Sequence, residues 1–437
     1  MTSRTIHPSG PIHATITPPG SKSLTNRALP LAAVAHGESV LTGVLDSEDT
    51  QIMMDSLRRM GVSLEHDPQT ATIRVHGTGG NLNSADLYCG NSGTTLRFLT
   101  AMCAAAGNTG EPRTFRLDGT ERMRQRPLGD LIHGLQQLEV EIHSENAEQP
   151  DCPPVVLNTT GLRGGTAEFP GNVSSQFLSG LLMAAPLSQM PIELRITGDL
   201  VSRPYIDMTL AVMKAFGVQV QELPGNRFQI PAPQRYEGRH YVVEPDASAA
   251  SYFFAAAAVA GGEITVRNLT KDALQGDVGF CDCLAQMGCQ VEYQPDAIVV
   301  RREPSATLRG VEVDMHAISD TAQTLSVVAL FADSPTTIRN VANMRVKETD
   351  RIHAVVTELR KFGVQVEEFP DGLTIQPLCM ASNPLPEQIE VATWNDHRMA
   401  MSFAIAGLKV PGVVIQNPEC TAKTYPNFFE DLEKVTH

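Results

Sequence analysis

The sequence predicts an α/β protein of six similar modules folded as two bodies, and three observations carry that prediction. One phrase recurs five times: LRRMGVSLE (57–65), LQQLEVEIH (135–143), MKAFGVQVQ (213–221), LAQMGCQVE (284–292) and LRKFGVQVE (359–367). Its fifth residue is Gly61, Glu139, Gly217, Gly288 or Gly363, at gaps of 78, 78, 71 and 75 residues. A truncated sixth copy, LEKVTH, begins at Leu432, 73 residues after Leu359. The chain also opens with a strand-like stretch, IHATIT (12–17), that no module around it claims. A repeat this long is a whole supersecondary unit.

Each module reads the same way in order. A short strand enters a polar loop, then an Ala/Leu-rich helix follows, then a second strand and a second loop. The repeated phrase closes the module as a helix end, a glycine stop and an alternating strand. The first loops are PGSKSLTNR (19–27), CGNSGTTLR (89–97), PGNVSSQ (170–176), EPDASAAS (244–251), ISDTAQT (318–324) and WNDHRMA (394–400). The second loops are LDSEDT (45–50), DGTERMRQRP (118–127), GDLVSRPY (198–205), LTKDALQGD (269–277), NMRVKETDR (343–351) and PECTAKTYP (418–426). The sixth copy stops where its closing strand should begin. Residues 1–20 are therefore expected to complete the last module and to bring the termini together. The two bodies are then 21–240, and 1–20 with 241–437, each near ordinary domain size. Equivalent loops of repeated units lie on equivalent edges, so an active site in a cleft between the bodies is expected.

Composition excludes several classes. Hydrophobic residues are 42% and charged residues 19%, too apolar for disorder and enough for two cores. No apolar run reaches the ~18 residues of a membrane span, and the start lacks the order of a secretory signal. Eight cysteines without a framework suit a reducing cytosol. Cys281, Cys283 and Cys289 lack the partners of a zinc pattern, so no metal is expected. The net charge of −15 argues against a nucleic-acid surface. It makes local basic clusters the more telling, because they suit a small anion.

Those clusters fall in the loops. In PGSKSLTNR, Ser21 or Ser23 can cap a helix, with Lys22 and Arg27 about one turn apart. Lys, Ser and Arg at a helix start suit phosphate or carboxylate; a solvated cap is the bland alternative. CGNSGTTLR brackets Asn91 and Ser92 with glycines, whose backbone N–H groups can cradle an anion or merely begin a helix. TERMRQRP carries Arg122, Arg124 and Arg126, of which one is expected to face an anion and two to be ordinary surface arginines. VSSQF offers Ser174, Ser175 and Gln176 to phosphate oxygens or a polyol, or to capping alone. Asp246 and Asp320 occupy matching loops, as N-caps or as functional carboxylates. In RVKETDR, Lys347, Glu348 and Arg351 can share a helix face, either as a site or as a surface ion-pair ladder. NDHR and TAKT add Arg398 and Lys423.

Lys22, Arg27, Arg126, Lys347, Arg351, Arg398 and Lys423 are seven loop cations in an acidic chain, with Asp320 and Glu348 beside them. Seven cations suit a substrate pair carrying two or three anionic groups. The sequence has no nucleophile with a partnered His, no Rossmann fingerprint and no Walker loop. What remains is chemistry by positioning, electrostatics and proton transfer.

PGSKSLTNRAL, GNSGTTLRFL, VSSQFLSGLLMAAP, GDLVSRPYIDMT, RVKETDR, NDHRMAMSFA and CTAKTYPNFF resemble the signatures of the 5-enolpyruvylshikimate-3-phosphate synthase family, in order and over the whole chain. The resemblance implies a two-domain inverse α/β barrel of six βαβαββ units, three per domain. It implies transfer of the enolpyruvyl group of phosphoenolpyruvate to the 5-hydroxyl of shikimate 3-phosphate, releasing phosphate, in the shikimate pathway. By the same resemblance, Lys22, Ser23, Arg27, Ser174, Ser175, Gln176, Ser202, Tyr205, Asp320, Asn343 and Lys347 take shikimate 3-phosphate. Lys22, Gly93, Arg126, Gln176, Arg351, Arg398 and Lys423 take phosphoenolpyruvate. Asp320 accepts the hydroxyl proton, and Glu348, assisted by Lys22, protonates the methylene carbon. No cofactor or metal is implied, and a cytoplasmic monomer is expected. Arg97-Phe98 departs from the Arg-Pro of many members, and Ser92 and Thr95 stand where Ala is common; this leaves inhibitor sensitivity at Gly93 open. The alternatives are the sister enzyme acting on UDP-N-acetylglucosamine, and a non-catalytic repeat protein that binds partners through its loops. The sister typically carries a reactive Cys in a loop, whereas Cys103 here lies in an apolar helical stretch.

Overall fold

A computed structural model describes residues 2–107, 111–171, 174–198, 200, 202–379 and 385–436. The chain forms two compact units, Gly20–Val243 and Met1–Pro19 with Glu244–His437. Parts of two loops singled out above, residues 172–173, 199 and 201, lie outside the described residues. No described helix is long and apolar enough to cross a membrane.

One sheet plan recurs. The outer strand runs parallel to the second strand, which pairs antiparallel with the fourth, which pairs antiparallel with the third. The second module shows it in full: Ala85–Tyr88, Arg113–Asp118, Val155–Thr159 and Glu141–Ser144, in that spatial order. A parallel pair needs a crossover, and here the helix Gly93–Ala104 supplies it. A hairpin makes the antiparallel pair behind it. Among the described residues, five sheets have four strands and the sixth has three.

The expectation that residues 1–20 complete the last module needs correction. Ser3–Thr5 does so, pairing antiparallel with Val413–Gln416. Ile12–Ile16 instead pairs parallel with Gly262–Arg267, in the sheet of the fourth module. The first module takes its outer strand from His240–Val242, parallel to Glu38–Thr42. In both cases the strand precedes a helix of the other unit. The chain crosses between units twice, and each time the outer strand stays in the sheet of the unit being left. Hydrophobic alternation tells that a segment is a strand but not which of two equivalent edges it joins.

Local chemistry sets the element ends. Ser21 Oγ accepts from Leu24 N at the start of Lys22–Val34. Asp246, Asp350 and Asp396 cap Ala247–Ala260, Arg351–Arg360 and His397–Gly407 in the same manner. At the helix stops, Gly61, Gly217, Gly288 and Gly363 have φ of 88°, 92°, 104° and 73°. Glu139 adopts the same left-handed turn at φ 63° without glycine's freedom.

The first helices of the modules form the unit cores. Every residue of Ala247–Ala260 is buried. Small alanines let it lie against both Ala322–Val328 and His397–Gly407. Ser251, Thr324 and Ser402 link these three helices through hydroxyl contacts of 3.3 Å each. In the other unit, Gly180 of Ser175–Ala184 faces the backbone of Gly93–Ala104, where an added Cβ would sit 3.0 Å from Arg97 O. Each such helix begins at a first loop, so the core fixes where the polar loop residues stand.

Candidate active site

The unit Gly20–Val243 sets Arg27 over neutral oxygens and Lys22 beside a carboxylate. Arg27, in the second turn of Lys22–Val34, donates to Thr209 Oγ1 at 2.8 Å, Ser23 O at 2.9 Å and Tyr205 O at 3.2 Å. Its guanidinium also lies 5.1 Å from the Phe98 ring centre and 5.9 Å from that of Tyr205. Burial lowers its pKa to about 10, partly opposed by Tyr205 and Tyr241. Lys22 Nζ is 3.7 Å from Asp49 Oδ2. Arg126 donates to Asn91 O at 3.2 Å and lies over Gly93, where an added Cβ would be 2.7 Å from Arg126 Nη2. Gln176 accepts from Arg97 Nη1 at 2.6 Å. Ser174 caps the helix opening at Ser175, its Oγ accepting from Gln176 N at 3.3 Å. Ser202, left-handed at φ 55°, starts Arg203–Ala215, and Tyr205 N donates to its carbonyl at 3.0 Å.

The unit containing Glu244–His437 interleaves cations with carboxylates. Arg351 opens the helix Arg351–Arg360 and donates Nε to Asp396 Oδ2 at 2.7 Å. Its Nη1 reaches Asp320 Oδ1 at 3.1 Å and its Nη2 reaches Glu348 Oε2 at 2.8 Å. Burial alone would lower its pKa, but Asp396, Glu348 and Asp320 outweigh burial and hold it above the ordinary value. Asp320 also meets Arg398 Nη2 at 2.8 Å and Lys347 Nζ at 3.6 Å. Glu348 Oε1 lies 3.6 Å from Lys423 Nζ. Asn343 joins the edge, donating to Ser319 Oγ at 3.1 Å. Desolvation lowers the Lys347 ammonium below its ordinary value, against the pull of Asp320. Lys347, Arg351, Arg398 and Lys423 thus share one network with Asp320, Glu348 and Asp396.

One sequence reading changes here. Lys347 and Glu348 do not share a helix face with Arg351, because the helix starts at Arg351 behind the Asp350 cap. The Glu348–Arg351 pair forms across that cap instead. Asp396, Asp49 and Arg97 received no role from the sequence. Asp396 stands in NDHR, and nothing local told that Arg351 would reach it from 45 residues away.

The family model of EPSP synthase (3-phosphoshikimate 1-carboxyvinyltransferase) matches residues 6–432. The 3-phosphoshikimate 1-carboxyvinyltransferase of Nostoc punctiforme is 49% identical over 422 residues, covering 96% of this chain and 95% of that one. That of Pasteurella multocida is 43% identical over 441 residues, covering 100% and 98%. The structure of EPSP synthase from Acinetobacter baumannii superposes with a TM-score of 0.81 at 26% identity, covering 100% and 98%. These findings favour the shikimate enzyme over the UDP-N-acetylglucosamine alternative and over a non-catalytic repeat protein. The chain belongs to the EPSP synthase family, the 3-phosphoshikimate 1-carboxyvinyltransferases.

Proposed function

We propose how this chain divides its family's reaction, carboxyvinyl transfer from phosphoenolpyruvate to shikimate 3-phosphate with release of phosphate, among its residues. Lys22, Ser23, Arg27, Ser174, Ser175, Gln176, Ser202 and Tyr205, with Asp320, Asn343 and Lys347, hold shikimate 3-phosphate. Lys22, Gly93, Arg126, Gln176, Arg351, Arg398 and Lys423 hold phosphoenolpyruvate. Each ligand draws on residues of both units, and the enzyme acts as a cytoplasmic monomer.

Asp320 accepts the proton of the 5-hydroxyl as that oxygen bonds to the central carbon of phosphoenolpyruvate. Glu348, assisted by Lys22, delivers a proton to the methylene carbon, giving a tetrahedral adduct not bonded to the enzyme. Removal of a methyl proton and departure of phosphate restore the enol ether. The observation that supports this best is that Asp320 and Glu348 share one guanidinium, at 3.1 and 2.8 Å. An acid and a base fixed on one rigid fork can serve two neighbouring reacting atoms, the hydroxyl of one substrate and the methylene carbon of the other. Phosphate release on mixing shikimate 3-phosphate with phosphoenolpyruvate tests the activity. No release with the pair, or equal release with UDP-N-acetylglucosamine as acceptor, would reject it.

A further inference from the structure

The loop LTKDALQGD (269–277) takes no part in the roles above. It ends on Asp277, 5% exposed, in the turn Gly276–Gly279. The loop is clamped to the start of Ala247–Ala260. Gln275 Nε2 donates to Pro245 O at 2.7 Å, and its Oε1 accepts from Ala247 N at 3.0 Å. Asp277 Oδ2 accepts a short hydrogen bond from the Ser248 hydroxyl. Asp277 Oδ1 is buried without a hydrogen-bond partner among the described residues. Ser248 Oγ in turn lies 3.4 Å from Arg398 Nη2, the nitrogen that meets Asp320 Oδ2 at 2.8 Å.

This chain of contacts fixes hydrogen positions. Arg398 can only donate, so Ser248 accepts from it and gives its own hydrogen to Asp277. A buried carboxylate with one hydrogen bond and, among the described residues, no ion pair costs more than the neutral acid, which buries only an unpaired hydroxyl.

We propose that Asp277 is a positioning residue for the reaction, an uncharged carboxylic acid that orients Ser248, which holds Arg398 Nη2 against Asp320. The inference rests on the assignment of Arg398 to phosphoenolpyruvate. An uncharged Asp277 leaves the charge of Arg398 to Asp320 and the incoming anion. An ionised Asp277 adds a competing carboxylate beside that guanidinium. The charged groups facing it are Asp320 from the turn His316–Thr321, Arg398 from the helix His397–Gly407, and Asp246 at the cap of Ala247–Ala260. Burial pushes its pKa up to about 7; Asp320 and Asp246 act in the same direction, and Arg398 and Ser248 oppose them.

The test compares wild type, Asp277→Asn, Asp277→Ala and Ser248→Ala from about pH 6 to about pH 8.5, either side of the Asp277 titration. Phosphoenolpyruvate titrates in every sample, so the readout is the difference between variants. KM for phosphoenolpyruvate should rise with pH about 30-fold more in wild type than in Asp277→Asn, the expected factor for about 1.5 pH units past a titration. Asp277→Asn should keep the low-pH KM, while Asp277→Ala and Ser248→Ala raise it at every pH with kcat moved far less. Parallel pH profiles for wild type and Asp277→Asn, or equal losses for Asn and Ala, would overturn the proposal. Denaturant midpoints give a readout independent of activity. Between the unfolded carboxyl's pKa and about 7 the unfolded chain ionises first, so wild type loses stability relative to Asp277→Asn as pH rises. The gap should then stay level above that window; a gap constant at all pH would also overturn the proposal. Wild type releasing no phosphate at any pH rejects the reaction itself, and the midpoints still report on Asp277.

Discussion

Arg27 and Arg351 are each 2% exposed, one in each unit, yet they are held in opposite ways. Arg27 donates to a hydroxyl and two carbonyls, and burial brings its pKa down to about 10. Arg351 donates to three carboxylates, which hold it above its ordinary value. The scaffold is the same repeated module, so the difference lies in the loop residues around each guanidinium. A cation satisfied by neutral oxygens keeps its charge for an incoming anion. A cation caged by carboxylates spends its charge on ordering them. With the roles proposed above, both units carry anion-binding cations, and the unit with Glu244–His437 adds the carboxylates proposed for proton transfer.

The comparison breaks most sharply at the caged side. Glu348→Gln keeps a hydrogen bond to Arg351 but cannot exchange a proton. We expect kcat to fall by about 10²–10⁴, the usual contribution of a general acid or base. Binding of shikimate 3-phosphate should change little. Asp320→Asn should fall in the same range. Rapid-quench turnover with calorimetric binding would separate the two effects, and near-normal turnover would remove Glu348 from the proton transfer.

Asp396 tests the cage as structure. It bonds Arg351 Nε at 2.7 Å and caps the following helix through Arg398 N at 2.9 Å. Removing one partner of a buried pair costs about 3–5 kcal/mol. Asp396→Ala should lose about that much in urea unfolding, and Asp396→Asn less, because an amide still caps. Equal losses would mean that the charge of Asp396, which both variants remove, carries the whole effect and that the cap adds nothing.

Arg27 tests the receptor side. Arg27→Lys keeps the charge but cannot reach Thr209, Ser23 and Tyr205 together in the planar fork. Affinity for shikimate 3-phosphate should drop about tenfold to a hundredfold, as for loss of charged hydrogen bonds worth about 1.5–3 kcal/mol. Turnover at saturation should fall far less than in Glu348→Gln. A lysine that binds as well as wild type would show that only the charge counts, and the contrast with Arg351 would weaken.

The repeat was legible because a helix stop needs one backbone geometry, and glycine advertises it. The gathering of Asp320 and Glu348 with Lys347, Arg351, Arg398 and Lys423 was legible because polar residues cluster in loops between apolar helices. What escaped was non-local. IHATIT is a strand in isolation, but its edge is set by Gly262–Arg267, some 250 residues on. Lys347 and Glu348 fit a helical spacing, yet Asp350 caps the helix after them and leaves them outside it. Asp396 and Asp277 read as loop acids, and only the packing of Arg351 and Arg398 around them gives them a role.

The shared module can be tested apart from its charges, at the smallest energy scale. Glu139 holds the left-handed helix stop at φ 63° where four copies use glycine. A left-handed residue with a Cβ costs about 1–2 kcal/mol, and glycine returns about 0.5–1 kcal/mol of that through the unfolded chain. Glu139 also pairs with Arg163 at 3.1 Å, but both side chains are exposed and the pair is worth little. Glu139→Gly should therefore stabilise the protein by about 0.5–1 kcal/mol. Gly363→Ala is the reverse experiment, at φ 73° with nothing within 4 Å of an added Cβ. It should destabilise by about 1 kcal/mol through backbone conformation alone. Urea midpoints of the two variants should move in opposite directions, while kcat for both stays at the wild-type value. If both midpoints moved the same way, the turn would not be a common element of the two units, and the contrast between Arg27 and Arg351 could no longer be ascribed to loops set on one scaffold.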